Sequence, residues 1–282
     1  MNLDDIYSNI LKICKENYIV EPYIVGGVPR NLHLNFQEAR DPLYADSEDE
    51  FRDIDITTND SETTRLGVTC ADHMQERFKF FKDGHLTIYM KDAVLDFSSN
   101  FISEDVVNYI AKELNIKDKK LFEVYSRDFT INTLHKKFFD DEILDFTNKG
   151  KEDLDNKILR TPVPARITLK DDFRRVFRSI NFAARLGFSI DGDIIDYTRE
   201  NRDKFTGENK WVLKEAFITS IVGESINKNA DITMHYLSEM NLLPTVPLVG
   251  NFKEELIKRK LINKYLDDVI NLSEYKLKVL NI

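Results

Sequence analysis

Leu3, Ile6, Ile10, Ile13 and Cys14 recur at helical spacing at the start of the chain, which predicts an amphipathic helix over 3–16. The period then changes. Pro22-Tyr23-Ile24-Val25 reads as a short strand running into Gly26-Gly27, and Arg52-Asp53-Ile54-Asp55-Ile56 alternates polar with apolar. Residues two apart in a strand share a face, so Ile54 and Ile56 turn to a core while Asp53 and Asp55 turn together to the other side. The intervening segment 35–50 is polar, contains Pro42 and the acidic run 46–50, and reads as a loop insertion. Strands are predicted at 77–81, 85–90 and 93–97, joined by Lys82-Asp83-Gly84 and Lys91-Asp92. Turns that short make an antiparallel meander.

Beyond the meander, Ser103-Glu104-Asp105 is a helix start for Val106, Val107, Ile110 and Leu114. After about residue 150 the strand signals fade. Phe173, Val176, Phe177, Ile180 and Ala184 lie at helical spacing and stop at Gly187. Further helices are expected near 191–203, 209–222, 230–241 and 252–280, and no internal repeat is visible. The coarse picture is α+β: a mixed sheet domain followed by an all-helical half.

At 282 residues the chain is long for one core, so two or three packed units are expected. A composition of 42% apolar and 32% charged residues, with ten glycines and seven prolines, gives no sign of long disorder. No run of apolar residues is long enough to span a bilayer. The acidic N-terminus is unlike a signal peptide. Cys14 and Cys70 have no paired spacing to a histidine, which argues against zinc and against a disulfide framework. A cytoplasmic, intracellular location is therefore expected. The net charge of −9 does not advertise a nucleic-acid binder, yet between Lys157 and Arg185 eight cations against two anions leave +6.

Several short motifs carry candidate chemistry. Gly26 and Gly27 let backbone amides approach anionic oxygens, with Arg30 able to add a charge-assisted contact to a phosphate. Alone, a Gly-Gly pair is more often a tight turn. Asp53 and Asp55 alone are more often solvated acids. Asp96 changes the balance, because it sits in Val94-Leu95-Asp96-Phe97, whose neighbours want burial, and a buried acid needs a partner. A metal shared with Asp53 and Asp55 supplies one. Three hard oxygen ligands without histidine or cysteine select Mg²⁺ or Mn²⁺. Clustered carboxylates beside a glycine turn are what nucleotidyl transfer needs.

Arg127-Asp128-Phe129-Thr130-Ile131-Asn132 reads either as a helix cap or as a sugar clamp, in which Asp128 and Asn132 meet ribose hydroxyls and Arg127 touches the triphosphate. Asp172 and Arg175, three apart on the expected helix, are either a surface ion pair or a base reader. In the second case the carboxylate accepts from the exocyclic amine of cytosine or adenine and the arginine donates to the ring nitrogen. His33, His73, His85, His135 and His235 are scattered and are assigned to surface or packing, as Trp211 is to the core.

These pieces, in this order, resemble the class II tRNA nucleotidyltransferase and bacterial poly(A) polymerase family, which includes the CCA-adding enzymes. Gly26-Gly27-Val28-Pro29-Arg30-Asn31 is similar to its Gly-Gly-x-x-Arg-Asp motif. Asp53 and Asp55 match its Asp-x-Asp, and Asp96 falls on its later strand acid. Arg127 to Asn132 matches its ribose motif, and Asp171-Asp172-Phe173-Arg174-Arg175, continuing into Arg178, resembles its base-reading motif. The likeness spans roughly residues 20 to 245.

The resemblance implies a polymerase-β-like nucleotidyltransferase head over 1–148 with a mixed, largely antiparallel sheet. A helical neck for base recognition follows over 149–222, then an abbreviated helical body for RNA contacts over 223–282. It implies Asp53, Asp55 and Asp96 as catalytic residues, with two Mg²⁺ ions (Mn²⁺ as the substitute) on Asp53 and Asp55. The nucleotide would be bound by Gly26, Gly27, Arg30, Arg127, Asp128, Asn132, Asp172, Arg175 and Arg178. The expected activity is template-independent addition of CMP and AMP, from CTP and ATP, to the 3′ end of tRNA or another RNA. Poly(A) or A-only addition is the enzymatic alternative, and a catalytically silent nucleotide- or RNA-binding relative is the other. Oligomeric state is left open.

Four departures accompany the likeness. Asn31 replaces an aspartate that would help orient Arg30. Pro29 stiffens the turn and removes an amide donor. Ser98-Ser99-Asn100-Phe101 lacks the arginine often found after the strand acid, and the chain ends at Ile282, short of most members, so a reduced body is expected.

Overall fold

A computed structural model describes residues 3–34, 52–82, 84–91, 93–98, 102–170, 172–204, 215–246 and 250–269. The expected loop insertion over 35–50, together with Asp171 and Trp211, lies outside them. Contacts divide the chain into two compact units, Met1–Asn156 with Thr161–Val163, and Lys157–Arg160 with Pro164–Ile282. No helix among the described residues is long and apolar enough to cross a membrane.

The first unit contains α1 (Leu3–Glu16), β1 (Tyr23–Val25), α2 (Gly27–His33), β2 (Arg52–Thr57), α3 (Glu62–Met74), β3 (Arg77–Phe80), β4 (Leu86–Tyr89) and β5 (Ala93–Phe97). After these come α4 (Glu104–Lys112), α5 (Lys119–Tyr125), a 3₁₀ turn at Thr130–Asn132, β6 (Leu134–Lys136), β7 (Ile143–Asp145) and α6 (Gly150–Asp155). The seven strands form one sheet in the order β3-β4-β5-β2-β1-β6-β7. Only β2 and β5 run parallel; the other pairs are antiparallel. The expected meander is present as β3-β4-β5, and the sheet is mixed and largely antiparallel as the sequence implied.

The alternation in β2 builds the layer beneath it. Ile54 and Ile56, with Leu86, Ile88, Leu95 and Phe97 of the neighbouring strands, are buried against Ile6, Ile10 and Ile13 of α1 and Leu66 and Cys70 of α3. Burying each such side chain is worth about 1.5–3 kcal/mol, so this layer fixes which face β2 shows to solvent. Gly67 lets α3 settle onto β5: a Cβ there would sit 2.8 Å from the Cβ of Phe97.

Two expectations at the first glycine motif change. The turn is followed at once by α2, and Pro29 lies in its first turn, where a missing N–H removes no helical hydrogen bond. Pro29 therefore starts a helix rather than stiffening a loop. The sequence also did not show α3. Its buried positions are Thr63, Leu66, Gly67, Cys70 and Ala71, only one of them strongly apolar, so the helical period is faint.

The second unit contains β8 (Ile158–Leu159), α7 (Ala165–Thr168), α8 (Arg174–Leu186), β9 (Ser189–Ile190), α9 (Gly192–Glu200), a 3₁₀ turn at Arg202–Lys204, α10 (Glu215–Lys228), α11 (Ala230–Glu239), a 3₁₀ turn at Leu243–Thr245 and α12 (Gly250–Lys258). It is not purely helical: β8 and β9 form a parallel two-stranded ladder, each strand too short to show a period. The helix α8 packs on α10 and α11, and Asn181 Nδ2 donates to Ser225 Oγ at 3.1 Å. It ends at Gly187 as expected, in the left-handed conformation (φ 70°). The single helix expected over 252–280 is interrupted, since Lys260 is left-handed (φ 58°) just past α12. The expected boundary at 222/223 falls inside α10.

Candidate active site

The strand register brings the expected carboxylates into one row. Val25 of β1 pairs with Asp55 of β2, Asp55 with Asp96 of β5, and Asp96 with Thr87 of β4. All lie on the face opposite the apolar layer, and Asp53 shares that face two residues before Asp55. Asp53 is exposed, while Asp55 and Asp96 are partly buried.

Gly26 is required by its neighbour. Its backbone sits at φ 72°, ψ −122°, and a Cβ there would lie 2.6 Å from Asp55 Oδ2. The carboxylate thus leans against the glycine turn, which a side chain would close.

Asp96, expected to share a metal with Asp53 and Asp55, also has partners within the sheet. Thr87 Oγ1 donates to its Oδ1 at 2.9 Å, and His85 Nε2 contacts the same oxygen. His85 also stacks on Phe81, with centroids 4.6 Å apart and planes 16° apart. It therefore adjoins Asp96 and is more than the surface or packing histidine of the sequence reading. The alternation His85-Leu86-Thr87, combined with the meander register, places both polar residues beside Asp96 and was the available signal. Among the described residues no three His, Cys, Asp or Glu side chains are gathered to hold a metal ion. Asp53 and Asp55 remain a pair of hard-oxygen donors on one strand face, chemistry that suits Mg²⁺ or Mn²⁺.

Two arginines expected at the phosphates are engaged within the protein. Arg30 is only 2% exposed; its Nη1 donates to Asn132 Oδ1 at 2.8 Å and its Nε to Asn31 Oδ1 at 3.2 Å. It ties α2 to the 3₁₀ turn 102 residues away. Asn31 supplies the acceptor that an aspartate would offer, so the departure from the family motif does not leave Arg30 unoriented. Arg127 Nη2 pairs with Glu123 Oε1 at 2.8 Å, and Nη1 reaches the carbonyl of Asn132 at 3.4 Å. Glu123 is buried in α5, four residues before Arg127. That spacing is the signal by which it could have been found. Asp128 Oδ1 accepts from Asn132 Nδ2 at 3.0 Å and from the Phe129 amide at 2.8 Å. The segment is thus a hydrogen-bonded frame.

Behind this frame His135 is buried. Burial, reinforced by the Arg127 charge, pushes its pKa down to about 3. The ring is neutral: Nδ1–H donates to the Thr133 carbonyl at 2.7 Å. Nε2, 2.9 Å from the Asn59 side-chain amide, then accepts, which asks for the amide NH₂ to face the ring.

In the second unit, Asp172 precedes α8 instead of lying on it. Its carboxylate is forked by Arg174, with Nε and Nη2 each at 2.8 Å, and Oδ1 also accepts the Arg174 amide. Arg175 Nη1 reaches the Thr168 carbonyl at 3.3 Å. The expected i,i+3 neighbours are therefore replaced by an i,i+2 pair, because α8 starts at Arg174 and leaves Asp172 ahead of it. Arg178 lies over the Phe182 ring at 5.5 Å.

A carboxylate row on a mixed sheet beside a glycine turn defines a nucleotidyltransferase-type head. Residues 22–160 match the poly A polymerase head domain family. That match and the motifs above support the class II tRNA nucleotidyltransferase and poly(A) polymerase family. The mitochondrial CCA tRNA nucleotidyltransferase of Saccharomyces cerevisiae is 45% identical over 69 residues, 24% of this chain and 13% of that protein. Among solved structures, the Thermotoga maritima CCA-adding enzyme complexed with tRNA superposes with a TM-score of 0.60 at 18% identity, over 86% of this chain and 51% of that one. A CCA-adding enzyme with CTP gives 0.61 at 18% identity, again over 86% and 51%. The structural likeness establishes the fold. The chain spans about half the length of these solved relatives, and its matched stretch is a far smaller part of the yeast protein.

Proposed function

We infer that the protein is a template-independent RNA nucleotidyltransferase that adds CMP and AMP from CTP and ATP to the 3′ end of tRNA. The observation that carries this reading is the register pairing of Asp55 with Asp96, with Asp53 on the same face and Gly26 against Asp55. In the reaction the RNA 3′-oxygen forms a bond to the α-phosphorus and loses its proton. The bond to the β-phosphate breaks and pyrophosphate leaves. Asp53 and Asp55 would hold two divalent ions, Mg²⁺ or Mn²⁺, which supply Lewis-acid polarisation of the phosphoryl oxygens. Gly26 leaves Asp55 room to stand at the turn. Asp96 is oriented by its Thr87 and His85 contacts.

In this reading residues 1–148 carry the chemistry, 149–222 select the base and 223–282 contact RNA. Asp172 and Arg175 select cytosine and adenine, whose amines suit the carboxylate, and uracil and guanine present a carbonyl that it repels. The Arg174 fork on Asp172 is no obstacle: Arg174 is 62% exposed, and surface ion pairs are worth about 0–1 kcal/mol. Arg30 and Arg127 act as frame residues behind the ribose segment. The buried free thiols of Cys14 and Cys70 suit the expected cytoplasmic setting.

The test is incubation with each labelled NTP and a tRNA lacking its terminal CCA, with Asp55→Ala alongside. Addition of C, C and A that drops by several orders of magnitude in the variant, on the order expected for a lost metal ligand, supports the reading. Addition of A alone, indefinitely or to unstructured RNA, favours the poly(A) alternative, to which the matched head family also points. No incorporation in the presence of tight nucleotide or RNA binding would leave the silent-relative reading.

A further inference from the structure

Of the phenylalanines at the β3–β4 hairpin, Phe81 shares the face of the carboxylate row. Phe78 and Phe80 pair with Ile88 and Leu86 and belong to the opposite face, whereas Arg77 and Lys79 pair with Tyr89 and Thr87 on the side of Asp96. Phe81 continues that second set, since its N–H donates to the His85 carbonyl at 2.8 Å, the next pair of the register. The turn closes through the backbone, with the Gly84 N–H on the Phe81 carbonyl at 3.1 Å. Thr64 Oγ1 ties it to α3 by donating to the Gly84 carbonyl at 2.9 Å. None of these bonds needs the Phe81 ring. The ring is only partly buried, so core packing does not account for it either. It stacks instead on His85, with Lys79 Nζ 4.4 Å from its centroid.

His85 Nε2 in turn meets Asp96 Oδ1, the oxygen that also accepts from Thr87 Oγ1. An ionised carboxylate only accepts, so Nε2 carries the proton and donates it. Among the described residues both hydrogen bonds to Asp96 fall on this one oxygen, and both come from the β4 side. Asp55 stands on the other side, on β2. We propose that Phe81 is a positioning residue for nucleotidyl transfer that acts through His85, so that Asp96 Oδ1 is committed to the sheet and Oδ2 is the oxygen offered to the reacting groups. The role in transfer rests on the nucleotidyltransferase reading. A flat partner suits the task, because the torsion that turns an imidazole about its stem has broad minima and a stacked ring narrows them. One defined orientation of His85 then gives one defined orientation of Asp96.

The experiment follows CTP incorporation into tRNA lacking its CCA end by the full chain and by Phe81→Leu, Phe81→Tyr, His85→Ala and the double variant Phe81→Leu with His85→Ala. His85→Ala should lower kcat by about 10–100-fold with the KM for CTP unchanged. Phe81→Leu should lower kcat by about three- to tenfold, and Phe81→Tyr, which keeps the ring, should recover most of that loss. In the His85→Ala background Phe81→Leu should cost less than about twofold more, because a residue that works through His85 has nothing left to position. The Nε2 proton of His85, followed by nitrogen-edited NMR, should exchange with water faster in Phe81→Leu than in the wild type. Losses that multiply in the double variant, wild-type kcat in Phe81→Leu, or unchanged proton exchange overturn the proposal. So does a fall in turnover that tracks a fall in melting temperature, the mark of packing alone. A wild-type protein that transfers no nucleotide refutes the enzymatic reading instead, and proton exchange then decides the Phe81–His85 hold by itself.

Discussion

Gly26 and Asp55 show how a single side chain can be excluded twice. The backbone dihedrals disfavour any residue with a Cβ, and the Asp55 carboxylate occupies the place that Cβ would take. Gly26→Ala should therefore cost roughly 1–3 kcal/mol in backbone strain. It should also lower nucleotide incorporation about a hundredfold by displacing a reacting-site carboxylate. Denaturant unfolding beside a turnover assay checks both, and a variant with normal turnover would mean Asp55 needs no fixed position. His135 allows a second test. Its folded pKa lies below the ordinary value of 6.5, so the unfolded chain takes up a proton that the native protein refuses. The His135 contribution is thus fully present above about pH 6.5 and is lost as pH falls toward 3, at up to about 1.4 kcal/mol per pH unit. Unfolding free energies at pH 7 and pH 5 should differ more for wild type than for His135→Gln, and equal differences would exclude His135 as the cause. Asp53, Asp55 and Gly26 were readable as candidates from residue type and spacing. The engagement of Arg30 and Arg127 within the frame was not, because their partners are supplied by other elements.

Elements were legible where many strongly apolar residues repeated at one period. The sequence shows α1, β2, the β3-β4-β5 meander and α8, each with a clear stripe or alternation. It does not show α2, which is short and opens on glycines, or α3, whose buried face is made of small residues. The small residue at the centre of α3 has a packing consequence. A methyl group at Gly67 would meet the Phe97 Cβ at 2.8 Å, inside any normal contact. Gly67→Ala should raise helix propensity yet destabilise the protein by about 1–3 kcal/mol through overpacking. Thermal melts decide the sign: a stabilised variant would show that α3 is free to lift from β5. CTP affinity should not change, since Phe97 faces the apolar layer, away from Asp96.

At the scale of the molecule, charge and acceptor choice are linked. A chain of net charge −9 repels RNA at long range, so association must rely on local cations such as the +6 segment Lys157 to Arg185. RNA binding should weaken steeply with salt, by about 0.7–0.9 in the log–log slope per phosphate contacted. A minihelix of acceptor and T stems should compete nearly as well as whole tRNA. Equal affinity for unstructured RNA would speak against tRNA as the acceptor. By itself the sequence determined the family resemblance, the two acids on one strand face, the glycine turn and the basic segment, because residue type and period are local properties that survive without a fold. Only the tertiary structure decided what those groups touch. The pairing of Asp55 with Asp96, the hold of His85 and Thr87 on Asp96, and the Arg30–Asn132 bond join residues far apart in the chain. Strand register, which no local pattern encodes, sets the meetings at Asp96, and a shift of one residue would turn each side chain to the opposite face.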